Sequence, residues 1–193
     1  MRTRFGYLFI FSYFLVSFFS EAKAQSFSGV NEISISDTFP VPKENKHLLF
    51  YIQRTHNKNT IVYELNYNAD RTVNEKNPVK VYWVRYSDNG ETAPLSYIQR
   101  NYAYGIESVI TDYSKKTFKL NLVSYKKRSI YLMKSETDKL YHAYIMMNNK
   151  LVYFSKAFAK IEGGTFWVPH IKYVELTGRD SMTGKKMIEK IIP

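Results

Sequence analysis

The sequence predicts an all-β, mainly antiparallel domain: a β-sandwich or β-barrel of about nine or ten short strands, with one short helix near residues 94–104. Three observations carry that reading. Apolar and polar residues alternate with a period of two in one segment after another. Turn formers separate these segments at short, regular intervals, and helical spacing surfaces only once. Strand count does not dictate strand order, so sandwich and barrel both stay open at this level.

The chain opens with the basic stretch Met1-Arg2-Thr3-Arg4, followed by an apolar run from Phe5 to Phe19 and the small residues of Ala22-Lys23-Ala24. This is the pattern of a secretory signal, and residues 1–24 are expected to be removed by cleavage between Ala24 and Gln25. The run is short of the roughly 20 residues a spanning helix needs, so no transmembrane segment is expected in the mature chain. Export follows, to a periplasmic, cell-surface or secreted location.

Residues 25–46 are polar, include Pro40 and Pro42, and read as an extended lead-in, with a possible edge strand at Ile33 and Ile35. A single β-rich domain is expected over 47–193. Leu48 to Thr55 and Thr60 to Asn68 form strands, linked as a hairpin by His56-Asn57-Lys58-Asn59, and Asn68 to Pro78 forms a loop. Val79 to Tyr86 alternates Val79, Val81 and Trp83 against Lys80, Tyr82 and Val84. Asp88-Asn89-Gly90 supplies residues that tolerate positive φ, and Pro94 opens a helix bearing Leu95, Ile98 and Tyr102, with Gly105 as a left-handed stop.

Further strands are expected at Val109 to Tyr113 and Thr117 to Lys126, around the turn Ser114-Lys115-Lys116. Ile130 to Ser135, Leu140 to Met147 and Leu151 to Ile161 follow, the last two joined by Asn148-Asn149-Lys150. Gly163-Gly164 breaks the chain before Trp167. Ile171 to Thr177 and Lys185 to Ile192 close the series around a wide loop from Gly178 to Gly184. Tyr51-Ile52-Gln53-Arg54 recurs as Tyr97-Ile98-Gln99-Arg100, but the flanks differ, so no shared structure is expected.

The whole chain carries a formal net charge of +11; loss of Arg2, Arg4 and Lys23 against Glu21 reduces it to +9. The basic residues are dispersed, with tight groups only at Lys126-Lys127-Arg128 and Lys185-Lys186, as suits a solvated surface or contact with an anionic lipid or acidic glycan. Export removes the protein from nucleic acid. There is no cysteine, which excludes thiol chemistry and cysteine-ligated metals.

Catalytic signatures are lacking. His47, His56, His142 and His170 lie far apart without metal-ligand spacing, so no metal is expected. Ser87-Asp88-Asn89 and Ser124-Tyr125-Lys126-Lys127 imitate serine-acylase elements in the wrong order, and no phosphate-cradling loop or dinucleotide fingerprint points to a cofactor. Glu136, Asp138, Glu162, Glu175 and Asp180 each sit near a polar turn, and nothing selects a catalytic pair. Trp83, Tyr102, Tyr104, Phe166 and Trp167 lie at breaks in regular structure, where a ring either packs the core or stacks on a ligand.

Several segments resemble an uncharacterised family of exported bacterial proteins, the domain of unknown function numbered 4833. They are Phe50-Tyr51-Ile52-Gln53-Arg54 followed by Asn59-Thr60-Ile61-Val62-Tyr63-Glu64, then Pro78, Tyr82-Trp83, Pro94-Leu95 with Ala103-Tyr104-Gly105, and Gly184-Lys185 with Glu189-Lys190-Ile191. The resemblance covers roughly Pro40 to Pro193 and implies no activity. It directs attention to Arg54, Trp83 and Tyr104, with Arg54 offering a positive fork to an acidic group and the two rings an aromatic wall.

The reading is an exported, non-catalytic binding or structural module of the bacterial cell envelope, with an envelope glycan or anionic lipid as partner. One alternative is a hydrolase of envelope polymer using carboxylates and His142. The other is a small outer-membrane β-barrel, against which stand the short strands, the helix and the terminal Pro193.

Overall fold

A computed structural model describes residues 24–25, 38–43, 45–165 and 168–193. The signal-like residues 1–23, the strand at Ile33 and Ile35, and the rings of Phe166 and Trp167 lie outside the described residues. The fold is all-β, as the alternation requires.

The strands are β1 (Ala24–Gln25), β2 (Leu48–Arg54), β3 (Asn57–Leu65), β4 (Val79–Arg85), β5 (Glu91–Pro94), β6 (Ile106–Asp112) and β7 (Thr117–Leu122), then β8 (Tyr125–Lys134), β9 (Tyr141–Met147), β10 (Lys150–Gly164), β11 (Pro169–Asp180) and β12 (Lys186–Ile191). Between β5 and β6, the single turn α1 (Tyr97–Gln99) runs into a π-helical turn at Arg100–Tyr104. The sheet order is β5-β4-β3-β2-β10-β9-β8-β7-β6, with β11 on the other edge of β10, β12 beside β11 and β1 beside β12.

β10 organises the whole. One of its edges takes β9 antiparallel at Lys150–Tyr153 and then β2 in parallel at Lys156–Ala159, while the opposite edge pairs with β11. Among the described ladders β2–β10 is the one parallel pairing. Register shifts along the β10–β11 ladder, including one between Phe154 and Lys156, bend the strand, as bulges do. The sheet therefore curls into a half-barrel that stays open between its terminal strands, β5 and β6.

The alternation read from sequence decides which side chains line the concave face. Phe50, Ile61, Tyr63 and Trp83 from β2–β4 meet Phe118, Leu120, Ile130, Leu132, Ile145, Met147, Phe154 and Leu176 in one cluster. Phe50 stacks on Tyr63 at 4.3 Å and tilts against Phe154 at 4.8 Å. Each large ring buried this way contributes about 2–3 kcal/mol by area removed from water.

The convex face is covered locally too. Residues 38–43 cross it: Phe39 packs edge-on against Phe158 at 5.1 Å, and Gln53 Nε2 donates to Pro40 O at 2.7 Å and to Thr60 Oγ1 at 3.0 Å. This part of the expected lead-in is thus a strap that helps to bury Gln53 and Phe158.

Several boundaries differ from the sequence reading, each for a local reason. The first hairpin is tighter: Arg54 pairs with Asn57 and His56 takes φ 62°, so Asn57–Asn59 belong to β3. The single strand expected over Thr117 to Lys126 is two, because the chain reverses at Val123-Ser124. Val123 N–H donates to Gly105 O at 3.0 Å and the Ser124 hydroxyl to Ala103 O at 2.6 Å, so a distant segment sets that turn. Pro94 ends β5 rather than opening the helix, which starts at the capping box of Ser96 and Gln99.

Gly105 is extended, with φ −66°, not left-handed. It is required for another reason: a Cβ there would lie 1.9 Å from Arg100 O. Gly163-Gly164 does not end β10 but carries it, at φ +87° and +82°, into pairing with Pro169. β11 likewise runs on to Asp180, shortening the final loop.

Candidate functional site

Arg54, Trp83 and Tyr104, from β2, β4 and the π-helical turn, come together on the concave side. The Trp83 and Tyr104 rings meet edge to face at 5.5 Å, and the Arg54 guanidinium carbon lies 6.0 Å from the Tyr104 centroid. The Tyr63 hydroxyl donates to Tyr104 O at 2.8 Å, and Trp83 Nε1 donates to Gln99 Oε1 at 3.1 Å. Gln99 Oε1 also accepts from Ser96 N, so one side chain starts the helix and locks it to the indole. Sequence reasoning passed over Gln99, although Ser96-x-x-Gln99 is a readable capping box.

Burial raises the Tyr104 phenol above its ordinary range, while the Arg54 charge and hydrogen bond pull it partly back. Tyr63 is raised well above that range, first by burial and then by Tyr104. Trp83 is 6 % exposed, so its indole supports the helix and offers little surface of its own to a ligand.

Beside this cluster, the gap between β4–β5 and β6 encloses about 660 Å³. Its lining includes Ala93, the cross-strand partner of Trp83, and Gly105, the residue after Tyr104. Lys80 and Arg100 bring positive charge; Asn66, Asn77 and Ser108 are neutral and polar; Val79, Val81 and Ile106 are apolar. Among the described residues, no acidic side chain lines this seam. Lys80 Nζ also sits 5.2 Å from the Tyr82 ring.

A second cavity, also about 660 Å³, lies where the start of β8 meets the β9–β10 turn, and includes Arg128 and Glu189. His142 meets an acid as well: its Nε2 is 2.7 Å from Asp138 Oδ2, with the ring 4.7 Å from Tyr153. Hydrogen bonding from the Leu140 amide, then from His142, holds the Asp138 carboxyl below the usual range. This pair stands at the β8–β9 turn, and neither residue lines either cavity.

The other four carboxylates singled out from the sequence also have partners. Glu136 meets Lys139, Glu162 meets Lys172, buried Glu175 lies 3.9 Å from Lys190, and Asp180 accepts amides of its own turn. Among the described residues, no three His, Asp or Glu side chains converge as metal ligands. None of the described helices is long and apolar enough to cross a membrane.

A family model described as a domain of unknown function, DUF4833, matches residues 50–190. The chain belongs to this family. The DUF4833 match runs from Phe50 on β2 to Lys190 on β12, and so takes in Arg54, Trp83, Tyr104 and every residue lining both cavities. No curated protein and no solved structure matches the chain.

Proposed function

We propose that this DUF4833 domain is an exported, non-catalytic binding module of the bacterial cell envelope, and that the seam between β4–β5 and β6 holds the acidic headgroup of an anionic lipid. The observation that carries this reading is the seam's lining, in which Lys80 and Arg100 supply two cations while Val79, Val81 and Ile106 supply an apolar strip; the carboxylate opposite Lys80, Glu64 on β3, is not part of that lining. A headgroup has both characters, and a cavity of this size suits a small ligand. Export is supported by the basic, apolar and small-residue succession up to Ala24 and Gln25. Arg54, Trp83 and Tyr104 belong to the site as its support, with Arg54 reaching it through the Tyr104 ring.

Co-sedimentation with vesicles containing phosphatidylglycerol tests this. The purified protein is expected to bind them, to ignore phosphatidylcholine vesicles, and to release as salt is raised. Lys80→Ala with Arg100→Ala should weaken binding at least tenfold. Arg54→Ala and Trp83→Ala, if folded and unchanged in binding, remove those two residues from the site. A soluble acidic glycan that binds instead of vesicles, and is lost in the Lys80/Arg100 variant, reassigns the seam to glycan; no binding to either sinks the reading.

A further inference from the structure

Alternation also decides what the convex face carries. Ile130 and Leu132 on β8, Ala143 and Ile145 on β9, and Val152 and Phe154 on β10 enter the core, so Tyr131, Tyr144 and Tyr153 stand on the other face. The ladders set these three side by side, Tyr131 opposite Tyr144 and Tyr144 opposite Tyr153. The row continues at both ends: Lys119 on β7 stands opposite Tyr131, and Arg179 on β11 opposite Tyr153. Lys119 lies between the buried Phe118 and Leu120, and Arg179 follows Gly178, whose missing Cβ would meet Val152 and Met147, so both cations share the face of the tyrosines.

A line of cation, three tyrosines and cation thus crosses the sheet from β7 to β11, and at about 4.8 Å between neighbouring strands it runs for roughly 19 Å. Its rings are held in place. Tyr144 and Tyr153 have centroids 4.9 Å apart, the His142 ring lies 4.7 Å from Tyr153, and Ser135 Oγ is 3.4 Å from the Tyr153 hydroxyl. Tyr144 is buried, whereas Tyr131 and Tyr153 are half-buried and keep part of each ring open. Alongside, Met146 pairs with Leu151 and both are exposed, which widens the apolar strip. Among the described residues, Lys119 and Arg179 have no hydrogen-bond or ion-pair partner, while the carboxylates Glu107 and Asp138 are held by Lys126 and His142.

We propose that this row binds an extended acidic polysaccharide laid across the strands. Sugar rings rest on Tyr131 and Tyr153, with Tyr144 bracing them, and carboxylates further along the polymer meet Lys119 and Arg179. A neutral glycan leaves both cations unanswered, and a polyanion without rings makes no use of the tyrosines. A bilayer calls for protruding apolar side chains, and here the middle ring is buried and its neighbours are half-buried. No residue of the row lines the seam, so this surface is independent of the headgroup site.

Calorimetric titration with galacturonic acid oligomers tests the proposal, against glucose oligomers of equal length and polyglutamate of equal charge. The acidic oligosaccharide is expected to bind at least tenfold more tightly than either control, and more tightly with length until it spans the row. Tyr131→Val removes a ring and keeps a strand-forming side chain; it should weaken binding at least fivefold with an unchanged melting temperature. Arg179 is exposed, so Arg179→Glu leaves the fold intact and should weaken binding at least tenfold, which decides the matter if Tyr131→Val does not fold. The Lys80/Arg100 double variant should bind as the parent does. Equal affinity for glucose oligomers or polyglutamate, no binding of any of the three, or affinity untouched by Arg179→Glu overturns the proposal. So does binding lost only in the Lys80/Arg100 variant, and so do phosphatidylglycerol vesicles that the parent binds and Arg179→Glu does not, which would give this face to the membrane.

Discussion

Arg128 on β8 and Glu189 on β12 are 2.9 Å apart although β9, β10 and β11 lie between their strands in the sheet. Contact across that span is possible because the sheet folds back on itself. Removing one partner leaves the other charge uncompensated, so Glu189→Gln is expected to lower the unfolding free energy by about 3 kcal/mol in urea denaturation. Replacing both, as Arg128→Met with Glu189→Leu, should recover most of that loss. A double variant no more stable than Glu189→Gln would show that the pair's value is not its charge balance.

Gly105 follows the π-helical turn with its Cα against the Arg100 carbonyl. Gly105→Ala must displace that turn, at a cost of about 2–3 kcal/mol. Because Tyr104 rests on Trp83, the indole should become more hydrated. Fluorescence in a Trp167→Phe background reports Trp83 alone, and a red-shifted emission is the expected result.

Tyr63 links burial to alkaline stability. Its phenol is raised well above the ordinary value, first by burial and then by the neighbouring Tyr104. A raised folded pKa means that the stabilising contribution is complete below the unfolded pKa of about 10 and is lost as pH rises toward the folded value. Tyr63→Phe should therefore cost about 1 kcal/mol at neutral pH, through the lost bond to Tyr104 O, yet give a shallower decline above pH 10 in denaturation curves.

At the β8–β9 turn the sign is reversed. The Leu140 amide, followed by His142, holds the Asp138 carboxyl low. Its contribution is present above the ordinary carboxylate pKa of about 4 and is lost as pH falls through the lower folded value. The protection factor of the Leu140 amide, that is its exchange relative to the intrinsic rate at each pH, should fall below about pH 4 in the parent. Asp138→Asn should show the lower protection factor already at pH 7 and little further change in acid.

What the sequence made legible was periodic. Val79, Val81 and Trp83 alternate with Lys80, Tyr82 and Val84, and that alternation alone assigns the concave face of β4. Asn148-Asn149 and Asn89-Gly90, all at positive φ, were equally readable as turns. The reversal at Val123-Ser124 was not, because its cause lies in Ala103 and Gly105 rather than in its own residues. Arg54, Trp83 and Tyr104 were nominated together, from segments far apart in the chain, and do meet. The two cavities were invisible, since Lys80 with Ser108, and Lys127 with Glu189, become neighbours through the curl of a sheet whose strand order the pattern does not encode.

The recurring Tyr-Ile-Gln-Arg tetrapeptide makes the same point from the other side. Its first copy lies in β2, where Gln53 holds the strap and Arg54 approaches Tyr104; its second forms α1 and begins the π-helical turn, where Gln99 caps the helix. Identical side chains take different roles because context, not the tetrapeptide, supplies their partners.

The side-by-side alignment of β2 with β10 imposes an order on folding. Thr55 exchanges hydrogen bonds with Ile161, 106 residues further along, and Tyr51 waits for Lys156 in the same way. A chain appearing from its N-terminus can form the β2–β3 hairpin early but must leave the outer rim of β2 open until the last third has been made. Such late closure slows acquisition of the native state.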